Sequence, residues 1–378
     1  MRDFIALVLA LIVLAAIVHT IRSHGYLPRN RERHMRIRLH LRRRPGPGHA
    51  SGYRLWWSFG RLASYRHSRQ TRPGLTSWER RRGPESHSVY LGRAHHRRSI
   101  RIPADQHILI FAPPRTGKTQ LLSRIIAHYP GPVLSTTTRA DVYLITRASR
   151  AKGGRPLAVF NPQGIGGDEA ASTFQWSPIE GCEDRAVAIR RADGFANALP
   201  ADGENLFFKN AARSYLRAMF HAAALVGGDM RLVARWALTA TKGGARDAES
   251  ILRVNGAGEW ADELAQLRGA AERTNATNEM TMTQVLGFMA DPNLAISALP
   301  GPYTLDLEAF LRQSGTLYLI ADPAGNDDSP LSPLFAAMAN ELNYAAGMIG
   351  QASDHGRLDP PLLIRLVISS LRRAVFNV

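Results

Sequence analysis

Short apolar runs separated by longer spacers recur along the second part of the chain: Ile108–Phe111, Val133–Thr136, Leu157–Phe160, Thr316–Ala321 and Leu362–Ile368. Each is rich in Val, Ile and Leu, the pattern of parallel strands buried on both faces. Between Glu180 and Pro300 such runs vanish and a helical period takes over. Within Leu206–Leu225, Phe208, Ala212, Tyr215 and Met219 fall at i, i+4, i+7 and i+11, one face of a helix. Glu259–Arg273 and Thr277–Ala290 are patterned likewise, and Asp291-Pro292 and Gly301-Pro302 break the run. These apolar stripes read as ordinary core. The pattern predicts an α/β domain from about Tyr90 with a parallel sheet and an inserted all-helical region. No internal repeat is visible.

At the other end, Phe4 to Val18 is uninterrupted apolar sequence, and His19, Thr20 and Ile21 extend it to 18 residues, just long enough to cross a bilayer. Arg22, Arg29, Arg31, Arg33, Arg36, Arg38 and Arg42-Arg43-Arg44 follow it, whereas only Arg2, offset by Asp3, precedes it. The positive-inside rule puts the N-terminus outside and the rest in the cytoplasm. The expectation is a single-pass anchor in the inner or plasma membrane. Ile17-Val18-His19-Thr20-Ile21 offers no small-x-small site for cleavage of a signal peptide.

Charge sharpens this division. The net charge of the 378 residues is +17. Residues 1–101 carry 22 Lys+Arg against 4 Asp+Glu, and the remainder carries 26 against 27. A basic segment of this kind suits lipid headgroups or nucleic acid. There are four lysines (Lys118, Lys152, Lys209 and Lys242), so some arginine preference is compositional, but that does not explain the scarcity of carboxylates. Residues 22–88 are expected to be a basic juxtamembrane linker with some short structure. Their Arg residues interleaved with Tyr53, Trp56, Trp57 and Trp78 suit either a lipid interface or single-stranded nucleic acid. Cys182 is the one cysteine, which excludes an intramolecular disulfide and a zinc site built on Cys spacing. His95-His96 reads as a solvated pair.

The most specific chemistry lies at Ala112-Pro113-Pro114-Arg115-Thr116-Gly117-Lys118-Thr119, a phosphate loop of the Walker A type with Ala112 in place of its first glycine. His107–Phe111 before it is expected to be a buried parallel strand, and Gln120–Ile126 after it an amphipathic helix. In that setting backbone amides from Arg115 to Thr119 surround a phosphate, aided by the helix N-terminus. Lys118 reaches the β- and γ-phosphates and is the expected catalytic residue. Thr119 ligates Mg²⁺. Pro113, Pro114, Arg115, Thr116, Gly117, Lys118, Thr119 and Gln120 are the expected ATP-binding set.

Further stretches give these features a common sense: Ser135-Thr136-Thr137-Thr138-Arg139-Ala140-Asp141, Val159-Phe160-Asn161-Pro162, Phe207-Phe208-Lys209-Asn210-Ala211-Ala212-Arg213, Phe288-Met289-Ala290-Asp291-Pro292 and Gly315-Thr316-Leu317-Tyr318-Leu319-Ile320. In their order and spacing, with the phosphate loop, the chain resembles the type IV secretion coupling proteins. These are membrane-anchored ATPases of the RecA-like DNA-pump superfamily that feed DNA to a conjugation apparatus. The resemblance covers about residues 90–364. It implies a RecA-like P-loop NTPase core, residues 89–179 and 301–378, with an inserted all-α domain, residues 180–300, behind a membrane anchor, residues 1–21, and a linker, residues 22–88. It also implies ATP and Mg²⁺ as cofactors, and single-stranded DNA with its relaxase, secretion-channel proteins and membrane lipids as partners. A homo-hexamer is implied for the intact protein.

Two departures qualify this. Members of the family often have two membrane helices, and this chain shows one. After Leu362-Leu363-Ile364 the family continues as an apolar strand ending in the Asp-Glu pair that holds Mg²⁺ and polarises water; here no acidic residue follows Asp359. The expectation is therefore a coupling ATPase by descent, apparently truncated at the Walker B strand by a frameshift or gene truncation, with weak or no hydrolysis. The alternatives are a non-enzymatic membrane fragment that recruits DNA or partner proteins, and an unrelated P-loop ATPase of a secretion or pilus system.

Overall fold

The computed structural model describes residues 52–93, 99–111, 113, 115–200, 203, 205–239, 243–322 and 329–366. They fall into two compact units, one built on residues 52–63, 92–93 and 99–100, the other on residues 64–91 and 101–366. The first holds helix α1 (Gly52–Phe59) and the start of α2 (Arg61–Thr71). The apolar run Phe4–Ile21 and the pair His95-His96 lie outside the described residues. Among the described residues no helix is long and apolar enough to cross a membrane.

The second unit begins with the rest of α2 and with α3 (Ser77–Arg82), which starts with a capping box: Thr76 Oγ1 accepts from the Glu79 amide while the Glu79 carboxylate accepts from the Thr76 amide. The strands β1 (Ser88–Arg93) and β2 (Ser99–Pro103) form a two-stranded sheet. The main sheet has four parallel strands, β3 (Val133–Thr137), β4 (Leu157–Phe160), β5 (Thr316–Ile320) and β6 (Leu363–Arg365), in the order β4-β5-β3-β6. Val133 pairs with Thr316 on one side and with Leu363 on the other, and Leu157 pairs with Thr316. The expected strands at 133–136, 157–160 and 316–321 are thus present.

Side chains alternate across this sheet with the period of two that strands impose. Leu134, Ala158, Phe160, Leu317 and Leu319 enter the larger core; Val133, Val159, Tyr318 and Ile320 enter a smaller one. Over the smaller core lie α4 (Lys118–His128), through Ile125 and Ile126, and α5 (Asp141–Arg150), through Val142. The larger core runs into the segment between β4 and β5, which is helical and holds no strand among its described residues. Its helices are α6 (Arg185–Ala196), α7 (Asn205–Leu225), α8 (Met230–Leu238), α9 (Ala245–Val254), α10 (Gly258–Arg268), α11 (Glu272–Val285), α12 (Pro292–Ser297) and α13 (Leu307–Arg312). Aspartates at 184, 229, 291 and 306 cap four of them by accepting from amides of the first turn. On α7 three residues of the predicted face, Ala212, Tyr215 and Met219, are buried, and the fourth, Phe208, is half-buried. Helix α14 (Ser332–Gln351) closes the larger core against α6, where Glu341 pairs with Arg190 at 2.8 Å. Cys182 is buried and donates to the Pro178 carbonyl at 3.2 Å; burial pushes its thiol up to about 12, which keeps it protonated and inert.

Candidate nucleotide site

Helix α4 is fixed by what holds its two ends. Its C-terminal end leads through residues 129–132 directly into the first residue of β3, so it runs antiparallel to the strands. Arg150, fully buried at the end of α5, fastens this end: its guanidinium donates to the Thr316 hydroxyl at 2.6 Å and to the carbonyls of Gly131 at 2.8 Å, Ser314 at 3.0 Å, Ile126 at 3.5 Å and Tyr129. All these partners are neutral oxygens. Burial, and then the neighbouring Arg155, pull the Arg150 pKa down to about 10, so it stays cationic at neutral pH. A cation on the last carbonyls of a helix also complements its dipole.

The N-terminal end of α4 therefore points back toward the carboxyl edge of the sheet, where parallel α/β sheets bind ligands. The loop that delivers the chain there is built from left-handed turns. Arg115 has φ 59° and Gly117 has φ 93° with ψ 15°. No atom lies within 4 Å of where a Gly117 Cβ would sit, so the backbone conformation, not crowding, calls for glycine there. The Pro113 carbonyl accepts from the Thr116 hydroxyl at 2.7 Å and from Lys118 Nζ at 2.9 Å, which folds the loop over itself. The helical ladder begins with the Leu121 amide on the Gly117 carbonyl at 3.0 Å. Gly117 is the N-cap and brings no side-chain cap. The amides of the first turn thus have no intrahelical acceptor, and the end of the helix suits an anion.

Pro113, Arg115, Thr116, Gly117, Lys118, Thr119 and Gln120 all lie on this loop and first turn, all exposed except the half-buried Lys118. Ala112 and Pro114 lie outside the described residues. For Mg²⁺ the loop offers the exposed Thr119 hydroxyl. That fits an ion that takes one or two protein ligands and relies on phosphate and water for the rest. No group of three or more His, Cys, Asp or Glu suited to a metal occurs among the described residues.

The segment before the loop corrects the expectation. Residues 107–111 are not a strand of the sheet. Ile108 and Ile110 are half-buried against the smaller core, while Leu109 and Phe111 are 79% and 96% exposed. The apolar run alternates inward and outward as a strand does, but no strand among the described residues hydrogen-bonds it. A run of four apolar residues cannot by itself show whether both its faces will be covered.

Sequence reasoning also missed residues at the carboxyl ends of the strands. After β5, the Asp322 amide donates to Gln163 Oε1 at 2.7 Å. At the end of β6, the buried Arg365 donates to the Thr136 carbonyl at 2.6 Å and to Ser135 Oγ at 3.4 Å. Burial lowers the Arg365 pKa and Asp141 opposes that shift. Their position at strand ends was the signal available. Asp359, the last carboxylate of the chain, faces the other way: it pairs with Arg72 and accepts from the Gly74 amide at 3.0 Å.

Neither a scan of protein-family models nor a search of curated proteins returns a match. Among solved structures the chain is similar to a bacterial conjugative coupling protein, TrwBdeltaN70 in its unbound monoclinic form. The identity is 18% and the TM-score 0.46, over 65% of this chain and 53% of that one. The chain thus spans about half the length of that structure.

Proposed function

We propose that this chain is a P-loop ATPase subunit of a DNA-transfer apparatus, anchored in the inner or plasma membrane by residues 4–21 with residues 22 onward in the cytoplasm. The observation that carries nucleotide binding is the left-handed turn at residues 115–117, which starts α4 on a glycine with no side-chain cap and sets Lys118 in its first turn. Residues 113–120 would hold the phosphates of ATP there. Lys118, now on the Pro113 carbonyl, would turn to the β- and γ-phosphates, and Thr119 would hold Mg²⁺, which would supply charge neutralisation. DNA, in single-stranded form with its relaxase, secretion-channel proteins and a hexameric ring follow from the sequence resemblance. So does the reading of residues 180–300 as an inserted domain.

Turnover by this chain is slow in this reading. Phosphoryl transfer needs a carboxylate to hold the metal and orient water. Asp359 is committed to Arg72 and Gly74, and the described strand β6 contributes Arg365 at its end. The test is titration of the full chain with a fluorescent ATP analogue, with and without Mg²⁺, beside an assay of DNA-stimulated phosphate release. Mg²⁺-dependent binding lost by at least tenfold in Lys118→Ala, with little release, supports the proposal. Equal binding by both proteins sinks it. The second reading, a non-enzymatic chain that recruits DNA or partner proteins, is favoured by Arg365, not a carboxylate, at the end of β6, and predicts DNA binding indifferent to ATP.

A further inference from the structure

Helix α1 and the residues that follow it present an unusual surface. Tyr53 is 69% exposed, Trp57 48%, Phe59 37% and Leu62 43%. Arg54 and Arg61 are exposed among them. From Arg33 to Trp78 the sequence contains no Asp or Glu. Large apolar side chains rarely gather in one exposed segment unless something covers them. Here the apolar groups are mainly aromatic rings with polar tips, and they alternate with guanidinium groups.

We propose that this surface lies in the headgroup layer of a membrane containing anionic phospholipid. Tyr and Trp favour that layer because it is apolar on one side and wet on the other. Arginine stems lie along the apolar boundary while their heads meet lipid phosphates. The same interleaving would suit single-stranded nucleic acid if the ring faces were open for bases. Here the rings gather into one cluster on α1. Tyr53 and Trp57 stack at 6.4 Å with 16° between their planes, and Trp56 lies 6.2 Å from Tyr53 and 6.1 Å from Trp57. Phe59 and Leu62 add apolar area that a base-stacking surface does not need. The inference rests on the membrane anchor of the proposed function for its setting. Residues 22–51 can span at most about 100 Å between the anchor and α1, which leaves α1 within reach of the same bilayer.

The experiment uses the full chain in vesicles of phosphatidylcholine with one quarter phosphatidylglycerol, in which the acyl chains are brominated near the headgroup, and reads tryptophan emission. Two of the six tryptophans lie on α1, so bromine should remove up to about a third of the emission. That quenching should vanish in the double variant Trp56→Phe with Trp57→Phe. It should fall at least twofold in Arg54→Glu with Arg61→Glu, and when phosphatidylglycerol is left out. Equal quenching in the wild type and the tryptophan variant overturns the proposal. So does α1 emission that bromine leaves unchanged but a single-stranded oligonucleotide quenches, which would assign the surface to nucleic acid. Alkaline carbonate extraction reads the anchor separately. A chain that is extracted yet shows α1 quenching beforehand upholds the surface and removes the anchor. A chain that resists extraction without α1 quenching does the reverse.

Discussion

On one face of the sheet, Leu134, Phe160, Leu317 and Leu319 lie beneath helices whose centre, α7, is buried along most of its length. On the other face, Val133, Val159, Tyr318 and Ile320 are covered by α4 and α5, and the chain beside them leaves Leu109 and Phe111 in solvent. The candidate nucleotide loop belongs to the second face. The thick face supplies hydrophobic stabilisation in proportion to the area it removes from water. The thin face holds α4 by directed hydrogen bonds at its C-terminal end, while Gly117 at its N-terminal end brings no side-chain cap.

The largest effect expected from breaking this contrast is on the thick face. Phe220, fully buried and edge-on to Phe195, should cost about 3–5 kcal/mol on truncation to alanine. Urea unfolding monitored by circular dichroism reads it, and a loss below about 1 kcal/mol would show that the helical region is not a unified core. On the thin face Arg150→Met should cost about 2–4 kcal/mol, because it removes the donor from several buried carbonyls at once. If it costs nothing, the hydrogen bonds are not what fixes α4. Gly117→Ala should cost about 1–2 kcal/mol through its left-handed backbone and weaken nucleotide-analogue binding at the same time. A variant that binds as wild type would show that the turn tolerates a side chain. Phe111→Ser should be the mildest, within about 0.5 kcal/mol, since the ring is almost wholly exposed. A larger loss would mean that the ring is covered in solution and that the two faces are more alike than they look.

The same contrast explains what was legible in the sequence. The strands at 133–137, 157–160 and 316–320 were, because each is covered on both faces and carries apolar residues toward both cores. The helical run was, because α7 repeats its buried positions at 3.6-residue spacing. The turn at Gly117 and the helix after it were, because a glycine there meets the left-handed backbone that starts α4. Ile108–Phe111 misled because apolar composition reports a preference for burial and not whether a neighbour is present to provide it. Arg150 was invisible for another reason: its partners are main-chain carbonyls and one hydroxyl, brought together from residues 126 to 316, and carbonyls leave no mark in a sequence. Asp359 was noticed only as the last acidic residue; its bond to Arg72 joins positions that no periodicity connects.

The strand order has a consequence for the birth of the molecule. β3 and β4 are near neighbours in the sequence but do not touch in the sheet; β5 lies between them and pairs with both. During synthesis residues 161–315 must therefore be made before either strand gains that partner, a wait of roughly 8–30 s at ordinary translation rates. Throughout that time two apolar strands have open edges, the condition that invites pairing with other nascent chains. The helices between them, whose contacts are mostly local, can form early and shelter those strands until the central one arrives.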